Sequence, residues 1–520
     1  MTVLSAHDFP KVLVLSGIEE RTLARKVHVQ YLSGYLKQLN AATAVVERDY
    51  VDRDFLEDHT RYYCRSFKKY DKKCVRIHFF AKEIDKAAIE RSLLGVDCVL
   101  RQELESSYLG FIVIRPLQKT FVGRTCLVPL RDDSSRHFKA LCRIQVSFFG
   151  LAMTVACMPF QEQDTAVAAC ATCALWSAFF VTSSIFRHPV LTPGQITELA
   201  TGHGLSLARR FPNSGLSIMD VAFAIRRAEL SPLCICVKQA GHVERMFRKS
   251  IILTNIRAYL ELGVPLLLFG DVLDDSGRVN GAHALVVNGY HMGGISQKKR
   301  FGGVAAETID KLYLHDDQLG PYARAKIDRS VLGADLEVSW ADSSESVGGY
   351  KFRINYLVVP LYHKIRVDYE CVWRNAIEMQ QLLTGVNELL GIDDVSWDFV
   401  LATNNEFKQQ VKQDNLIDDS TKLDLLEASL PRFLWIVTLN IDNKLAIKFG
   451  VDATDASQGI VVVCTLVYSD IIPVLYSRIV SILNDDKFNP LVDAVLQSRY
   501  DPNVDIDMKD KGDILASATS

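Results

Sequence analysis

The sequence predicts an α+β fold for the middle of the chain, with helices and strands segregated along the sequence instead of alternating. Apolar residues follow helical spacing between about 170 and 262, and apolar runs of strand length come afterwards, up to about 360. The composition is that of a globular protein, since 48% of the residues are hydrophobic and 23% are charged. These observations disfavour a doubly wound sheet and exclude a mainly disordered, collagen-like or coiled-coil chain.

The chain of 520 residues is long enough for several domains. Changes in sequence pattern predict three parts: an N-terminal α/β part over 1–137, a central part over 138–360 and a C-terminal α/β part over 361–520. We expect the flanking parts to serve substrate selection or docking of a protein partner. The C-terminal part contains no residues with recognisable chemistry, and its role is left open.

Local patterns place the elements of the flanking parts. Helical spacing predicts helices over Glu19–Leu39 and Ala81–Leu94, and β-rich runs predict strands over Val75–Phe80 and Phe111–Ile114. In the C-terminal part the same criteria predict a helix over Val372–Leu390 and strands over Phe433–Val437, Leu445–Phe449 and Ile460–Val467.

The central part begins with a predicted hairpin and continues with helices. Strand-like runs over Leu141–Phe148 and Leu151–Met158 flank Gly150, which is typical of a hairpin turn. A helix is expected from Cys170 onward. Further helices are predicted at Pro193–Ala200, Ile218–Ala228 and Ile251–Leu262, and strands at Pro265–Phe269, Ala284–Val287 and Lys311–Leu314.

Charge and cysteine content restrict the class of protein and its partners. With 59 Lys and Arg against 62 Asp and Glu, the net charge of −3 offers no general attraction to nucleic acid or acidic lipid. Twelve cysteines in 520 residues are too sparse for a disulfide scaffold. Because we find neither a signal peptide nor about 18 uninterrupted apolar residues, we expect a soluble, cytoplasmic protein that does not bind membranes.

A cysteine among small residues opens the apolar helix of the central part. The segment reads PFQEQDTAVAACATCALWSAFF over 159–180, with Cys170 at the helix start and Gln163 seven positions before it. Because a helix N-terminus favours negative charge, we expect a lowered pKa for the Cys170 thiol, and the thiolate is the nucleophilic form. Gln163 and the main-chain N–H of Cys170 are placed to stabilise an oxyanion. A buried structural cysteine is the alternative for this segment alone.

Two later segments supply a candidate base and an acid to orient it. In GAHALVVNGY (281–290), His283 follows small residues and opens an apolar β-run, which places the imidazole near the edge of a strand. In KLYLHDDQLGPY (311–322), a strand of alternating residues ends in Asp316 and Asp317. We expect one carboxylate there to accept a hydrogen bond from the second ring nitrogen of His283 and to fix its tautomer. Strand parity favours Asp316, with Asp317 as second choice. A core histidine and turn aspartates are the alternatives.

The order Cys170, His283, Asp316 resembles that of the papain-like cysteine peptidase superfamily, especially its compact branch that includes the bacteriocin-leader peptidases. There a Gln precedes the Cys at a helix start, the His opens a strand, and an Asp or Asn closes the next strand. The resemblance covers about residues 160–360. It implies a helix bearing the Cys packed on an antiparallel sheet bearing His and Asp, with Cys170 as nucleophile, His283 as general base, Asp316 as orienting residue and Gln163 as oxyanion donor.

Two departures from this family lie close to the candidate nucleophile. The gap of seven residues between Gln163 and Cys170 is one longer than in papain, which leaves Gln161 as an alternative oxyanion donor. Ala171 follows the nucleophile where Gly is usual.

The resemblance implies a cysteine-dependent acyl hydrolase, most simply a peptidase or isopeptidase that acts on a peptide or protein through a thioester. No metal and no organic cofactor are implied. Two other functions stay open: an inactive papain-like scaffold for protein interaction, and an amide-forming acyltransferase with the same three residues. The substrate and the oligomeric state are left open.

Two further patterns allow other chemistry. Cys170 and Cys173 form a C-x-x-C, but a redox or zinc site would need a thioredoxin-like context or a second ligand pair, and neither is evident. Arg115 and Arg124 flank a glycine turn, where they either bind an anion or stay exposed in a hairpin.

Overall fold

The computed structural model describes residues 1–468, apart from 24–25, 96–97, 132–133, 165, 205–208, 238–241, 275, 294–302, 328–336, 341–349, 391–393 and 458. The described helices are α1 (Phe9–Leu15), α2 (Glu20–Leu23), α3 (Val27–Gln38), α4 (Arg53–Arg61), α5 (Lys86–Leu93), α6 (Cys98–Ser107), α7 (Cys170–Phe186), α8 (Pro193–Thr201), α9 (Ile218–Arg227), α10 (His242–Glu261), α11 (Tyr369–Leu390), α12 (Asn404–Gln413) and α13 (Asp419–Glu427), with 3-10 turns at Tyr63–Arg65 and Ala305–Thr308.

The described strands are β1 (Thr2–Ser5), β2 (Thr43–Tyr50), β3 (Cys74–Phe80), β4 (Tyr108–Ile114), β5 (Val122–Leu127), β6 (Arg136–Phe138), β7 (Cys142–Phe148), β8 (Leu151–Cys157), β9 (Ser231–Cys236), β10 (Leu266–Leu273), β11 (Val279–Met292), β12 (Gly303–Val304), β13 (Ile309–Asp316), β14 (Gly320–Ile327), β15 (Glu337–Trp340), β16 (Lys351–Leu361), β17 (Val395–Thr403), β18 (Phe433–Ile441), β19 (Lys444–Asp452) and β20 (Val462–Val467).

The chain forms two compact units, the first of residues 1–297 and 305–364, the second of residues 298–304 and 365–520. Both mix helices with sheets, and the described strand pairs are antiparallel except β12 with β17. The chain is therefore mixed helix and antiparallel sheet, as expected of an α+β protein. The division into three parts stays a prediction, and residues 469–520 of the predicted C-terminal part lie outside the described residues.

In the first unit, strands β1-β2-β3-β4-β5 form a sheet buried on both faces. Successive side chains of a strand point to opposite faces, so Ala44 and Val46 of β2 enter one apolar core and Val45 between them enters another. The first core also takes Phe160 and Tyr322, which come from the chain segments around the candidate site. The sheet therefore supports those segments directly.

A second sheet of the same unit closes on itself. Its strand order is β10-β11-β13-β14-β15-β16, and β10 pairs with β16 as well as with β11. β9 extends β16, and β6 pairs with β11. Helix α7 packs against β10, β11 and β13 of this closed sheet.

Helix α7 is apolar on nearly all sides, as expected of a helix in a protein interior. Trp176 is fully buried, and its indole N–H donates to Asp54 Oδ2 at 3.1 Å. The helix ends at Arg187, which takes the left-handed conformation with φ +66°. The hairpin of β7 and β8, paired from Cys142 opposite Cys157 to Phe148 opposite Leu151, agrees with the predicted one.

Some elements differ from their predicted extents for local reasons. The predicted helix Glu19–Leu39 is divided into α2 and α3, because Lys26 has an extended backbone. Helix α5 begins several residues later than predicted, because the carboxylate of Asp85 caps it by accepting the N–H of Ala88. Strand β11 extends well beyond the predicted Ala284–Val287 at both ends, since β10 and β13 pair with its two halves.

In the second unit, β17-β18-β19-β20 form an antiparallel sheet, with β12 added in parallel to β17. The indole N–H of Trp435 donates to the main-chain oxygen of Val367 at 2.9 Å, and that of Trp397 donates to Gln380 Oε1 at 2.7 Å. Across both units, no helix in the described ranges combines the length and apolar character needed to cross a membrane.

Candidate active site

Cys170 is the first residue of α7 and lies partly exposed, whereas Ala171, Thr172 and Cys173 behind it are buried. The preceding residue, Ala169, makes no side-chain cap to the helix. The first N–H groups of a helix have no partner within the helix. The thiol therefore lies beside main-chain donors that suit a negatively charged group.

A carboxylate shapes the turn that leads to Cys170. Oδ1 of the buried Asp164 accepts the main-chain N–H groups of Ala166, Val167 and Ala168 at 2.8, 2.5 and 3.0 Å. Its Oδ2 accepts the hydroxyl of Tyr63 at 2.9 Å. One side chain thus holds three consecutive N–H groups of the loop before the helix, which fixes the approach of the chain to Cys170.

His283 lies on β11 at the point where the strand passes from solvent into the interior. Residues 279–282 are exposed, whereas His283 is 3% exposed. Its Nε2 lies 3.0 Å from Oδ1 of Asp316, the last residue of β13. Because an ionised carboxylate only accepts hydrogen bonds, Nε2 carries the proton in this pair. Nδ1 is then the basic nitrogen, and among the described residues it makes no hydrogen bond.

Asp316 is held by three groups at once. Besides His283, its Oδ1 accepts the N–H of Gln318 at 3.0 Å, and its Oδ2 accepts the hydroxyl of Tyr350 at 2.8 Å. The side chain is fully buried. These bonds fix the carboxylate and, through it, the orientation of the imidazole.

The electrostatics favour a charged imidazole. Burial by itself lowers the pKa of His283, but the hydrogen bond to Asp316, the interaction with the Cys170 thiol and the charge of Asp317 outweigh it, so the pKa lies well above the ordinary value. Burial by itself raises the pKa of Asp316, but the hydrogen bond and charge of His283 outweigh it and keep that pKa below its ordinary value. His283 thus interacts with both Cys170 and Asp316.

The two candidate oxyanion donors, Gln161 and Gln163, lie on either side of Glu162, which several contacts hold in place. Glu162 is buried, pairs with Lys26 and accepts the N–H of Val122, while its main-chain oxygen accepts Arg115. Gln161 is 4% exposed, and its Nε2 has no partner within the described ranges. Gln163 is partly exposed, as Cys170 is. Since a substrate oxygen must reach its donor, exposure favours Gln163 over Gln161.

The sequence left Arg115 and Arg124 either to bind an anion or to stay exposed in a hairpin, and the structure shows neither arrangement. Arg115 is 3% exposed and donates to the main-chain oxygens of Thr120 and Glu162 at 3.1 Å each. Arg124 lies 2.6 Å from Oδ2 of the buried Asp52. Both guanidinium groups are therefore used inside the unit. Arg115 supports the chain next to Gln163, a role that the local sequence did not indicate.

The structure also identifies supporting residues with no local signal in the sequence. Tyr350 reaches Asp316 from 34 positions away. His28 of α3 contacts the main-chain oxygen of Asp317 with its Nε2 at 2.9 Å. Both contacts join distant parts of the chain, so no motif around either residue could indicate them. Asp164 did have a local signal, since Asp commonly accepts N–H groups two to four residues ahead.

The described side chains that would suit a metal ion are those of His283, Asp316 and Asp317, whose donor atoms lie within 4.8 Å of one another. The 3.0 Å between Nε2 and Asp316 Oδ1 is that of a hydrogen bond, and Nε2–H already donates there. The arrangement of His283 and Asp316 is thus that of a hydrogen-bonded pair. Cys173, the second residue of the C-x-x-C, is buried, and burial followed by the charge of Asp317 raises the pKa of its thiol well above the ordinary value.

Comparison of the chain with family models, with curated proteins and with solved structures finds no match in any of the three.

Proposed function

We propose that the protein is a cysteine-dependent acyl hydrolase with a papain-like arrangement of Cys170, His283 and Asp316, most simply a peptidase or isopeptidase. The observation that carries this proposal is that His283 interacts with both other groups. Its Nε2 donates to Asp316 at 3.0 Å, and its Nδ1 is left as the base for the thiol of Cys170. A nucleophile, a base and an orienting acid in this order are the parts of a hydrolytic triad.

In the proposed reaction the Cys170 proton moves to Nδ1 of His283, and the thiolate attacks the carbonyl carbon of an amide. The oxyanion is stabilised by the main-chain N–H of Cys170 and by the Gln163 amide. The imidazolium then protonates the leaving amine, the C–N bond breaks, and a thioester remains. A water molecule, deprotonated by Nδ1, hydrolyses the thioester and returns the thiol.

The N-terminal half of β11 supports an extended peptide as the substrate class. Over residues 279–285 one edge of β11 pairs with β10, and no strand in the described ranges pairs with the other edge. Residues 279–282 are also exposed. A free strand edge can pair with an extended chain. A peptide bound there would bring its acyl group next to His283.

The test is alkylation of the native protein with iodoacetamide near about pH 6, followed by peptide mass spectrometry. The wild type is compared with His283→Ala and Cys170→Ala. The exposed residues Cys64 and Cys234 serve as internal references for the reactivity of an accessible thiol. We expect Cys170 to react faster than both references in the wild type and to lose that advantage in His283→Ala.

If Cys170 reacts no faster than Cys64 and Cys234, the hydrolase proposal fails and an inactive scaffold takes its place. If Cys170 is selectively labelled, peptide amides are then tested with and without an added amine. Release of the free acid supports the hydrolase, whereas an amide product in excess over the acid would replace it with an acyltransferase.

A further inference from the structure

The imidazole of His283 faces two carboxylates. Its Nε2 lies 3.0 Å from Oδ1 of Asp316 and 3.6 Å from Oδ1 of Asp317. The first distance is a hydrogen bond, and the second places a further acidic oxygen within ion-pair range of the same N–H. A triad needs only one carboxylate, so Asp317 requires its own explanation.

Packing does not explain Asp317. The residue is 4% exposed, and its Oδ2 has no hydrogen-bond partner in the part of the chain that the structure describes. The main-chain oxygen of this residue lies 2.9 Å from Nε2 of His28. A buried carboxylate with one oxygen left without a hydrogen bond is destabilising, and an asparagine of the same shape would fill the space without a charge.

The groups around Asp317 show what its charge can act on. His283, and then a hydrogen bond from its own main-chain N–H, favour its ionised form, whereas Asp316 and Glu162 oppose that form through like charge. The charge of Asp317 raises the pKa of Cys173 on α7. His28 on α3 contacts the main-chain oxygen of Asp317. Burial raises the pKa of Asp317 to about 7. A positive charge on His283 is therefore the favourable partner of an ionised Asp317.

We infer that Asp317 is a second positioning carboxylate of the site, which lies within ion-pair range of Nε2 of His283 beside Asp316 and stabilises the imidazolium that forms when Cys170 loses its proton. The inference rests on the proposed function. Asp316 holds the ring in place through a full hydrogen bond. Asp317 adds charge on the same side of the ring, away from Nδ1, and so favours the thiolate–imidazolium pair without touching a substrate.

The experiment measures the rate of Cys170 alkylation by iodoacetamide between about pH 5 and about pH 8.5 in the wild type and in Asp317→Asn. Asn keeps the shape of the side chain and removes its charge. Asp310→Asn is the matched control, because Asp310 lies on β13 and its Oδ1 is 2.6 Å from Nδ1 of His291 on β11. The control thus removes a carboxylate from another His–Asp pair on the same two strands. Thermal unfolding of each variant checks the fold.

We expect the wild type and Asp317→Asn to react alike near about pH 5, where Asp317 is protonated and resembles Asn. Above about pH 7 the wild type should react about tenfold faster, a factor that corresponds to one pKa unit between the two states. The melting temperature of Asp317→Asn should equal or exceed that of the wild type. Asp310→Asn should follow the wild type at every pH.

Equal rates for the wild type and Asp317→Asn across the pH range overturn the inference, and so does a rate ratio that does not change with pH. Either result leaves the proposed function intact when Cys170 is still selectively labelled in a manner that depends on His283. The proposed function fails separately, when the wild type itself shows no such labelling.

Discussion

Nε2 of His28 lies 2.9 Å from the main-chain oxygen of Asp317, and this contact joins α3 to the residue that follows β13. The hydroxyl of Tyr31 on the same helix donates a second hydrogen bond to the main-chain oxygen of Pro321 at 2.7 Å. The sequence predicts a docking role for residues 1–137. These contacts give the same residues a structural role, because they hold the chain that carries Asp316 and Asp317.

The orienting carboxylate is tested by Asp316→Asn. The substitution removes the charge that keeps the proton on Nε2 of His283, so the wrong nitrogen can become protonated, and we expect turnover to fall by about a hundredfold or more. The measurement is kcat on a peptide amide that the wild type cleaves. Asp310→Asn, which alters the pair with His291, should keep wild-type turnover. An equal loss in both variants would count against Asp316 as the orienting residue.

The oxyanion donor is tested by comparing Gln163→Ala with Gln161→Ala. Removal of one oxyanion donor costs about a hundredfold in kcat or more, and we expect that loss in Gln163→Ala because this residue is partly exposed. Gln161→Ala should leave kcat within about threefold of the wild type, since the side chain is buried. Initial rates at saturating substrate measure both. The opposite pattern would make Gln161 the donor.

The turn before Cys170 is tested by Asp164→Ala. This substitution leaves the buried N–H groups of residues 166–168 without their acceptor, and we expect the free energy of unfolding to fall by about 2–4 kcal/mol. Urea unfolding measures it. Asp274 accepts the N–H groups of Ser276 and Arg278 in an exposed turn, where water can replace it. Asp274→Ala should therefore cost less than about 1 kcal/mol, and an equal cost would refute the argument from burial.

The packing of α3 on β14 is tested at Gly320, where an added Cβ would overlap the ring of Tyr31. We expect Gly320→Ala to lower the free energy of unfolding by about 1–3 kcal/mol, because a well-packed interior has no room for the methyl group. In a Tyr31→Ala background the same substitution should cost little, since the obstructing ring is gone. Urea unfolding of the wild type, the two single variants and the double variant gives a double-mutant cycle. Strictly additive losses would show that the two residues do not meet.

The pH dependence of stability is tested through Asp317. Burial raises its pKa to about 7, whereas an unfolded Asp has a pKa of about 4. Between these values the folded state keeps a proton that the unfolded state has lost. The stability that neutral Asp317 contributes is therefore complete below about pH 4 and is lost as the pH rises through about 7.

Asp317→Asn cannot ionise, so we expect its free energy of unfolding to rise relative to the wild type from about pH 4.5 to about pH 7.5, by at most about 4 kcal/mol. Urea unfolding at the two pH values gives the difference. If the difference in free energy of unfolding between Asp317→Asn and the wild type stays constant or narrows as the pH rises, the result would contradict the raised pKa of Asp317.

Most features that the sequence predicted well depend on residues close together in the chain. The start of α7 at Cys170 and the strand that ends in Asp316 follow from apolar periodicity and helix-start chemistry, which are local. The strand that the sequence predicted to open at His283 instead begins at Val279, so His283 lies within β11 and not at its edge. Strand parity along β13 favoured Asp316, and Asp316 is the nearer of the two carboxylates to His283, because side-chain parity is a property of the strand itself.

By itself, then, the sequence determined which elements form and which residues stand at their ends, because local hydrogen bonding and burial patterns decide both. Tertiary structure alone decided what these residues meet. The register of β11 against β13, with Val286 opposite His315, brings His283 to Asp316. The burial of Arg115 and the contact of His28 with Asp317 depend on contacts between residues far apart in the chain. Such contacts arise from the packing of whole elements, which no local pattern specifies.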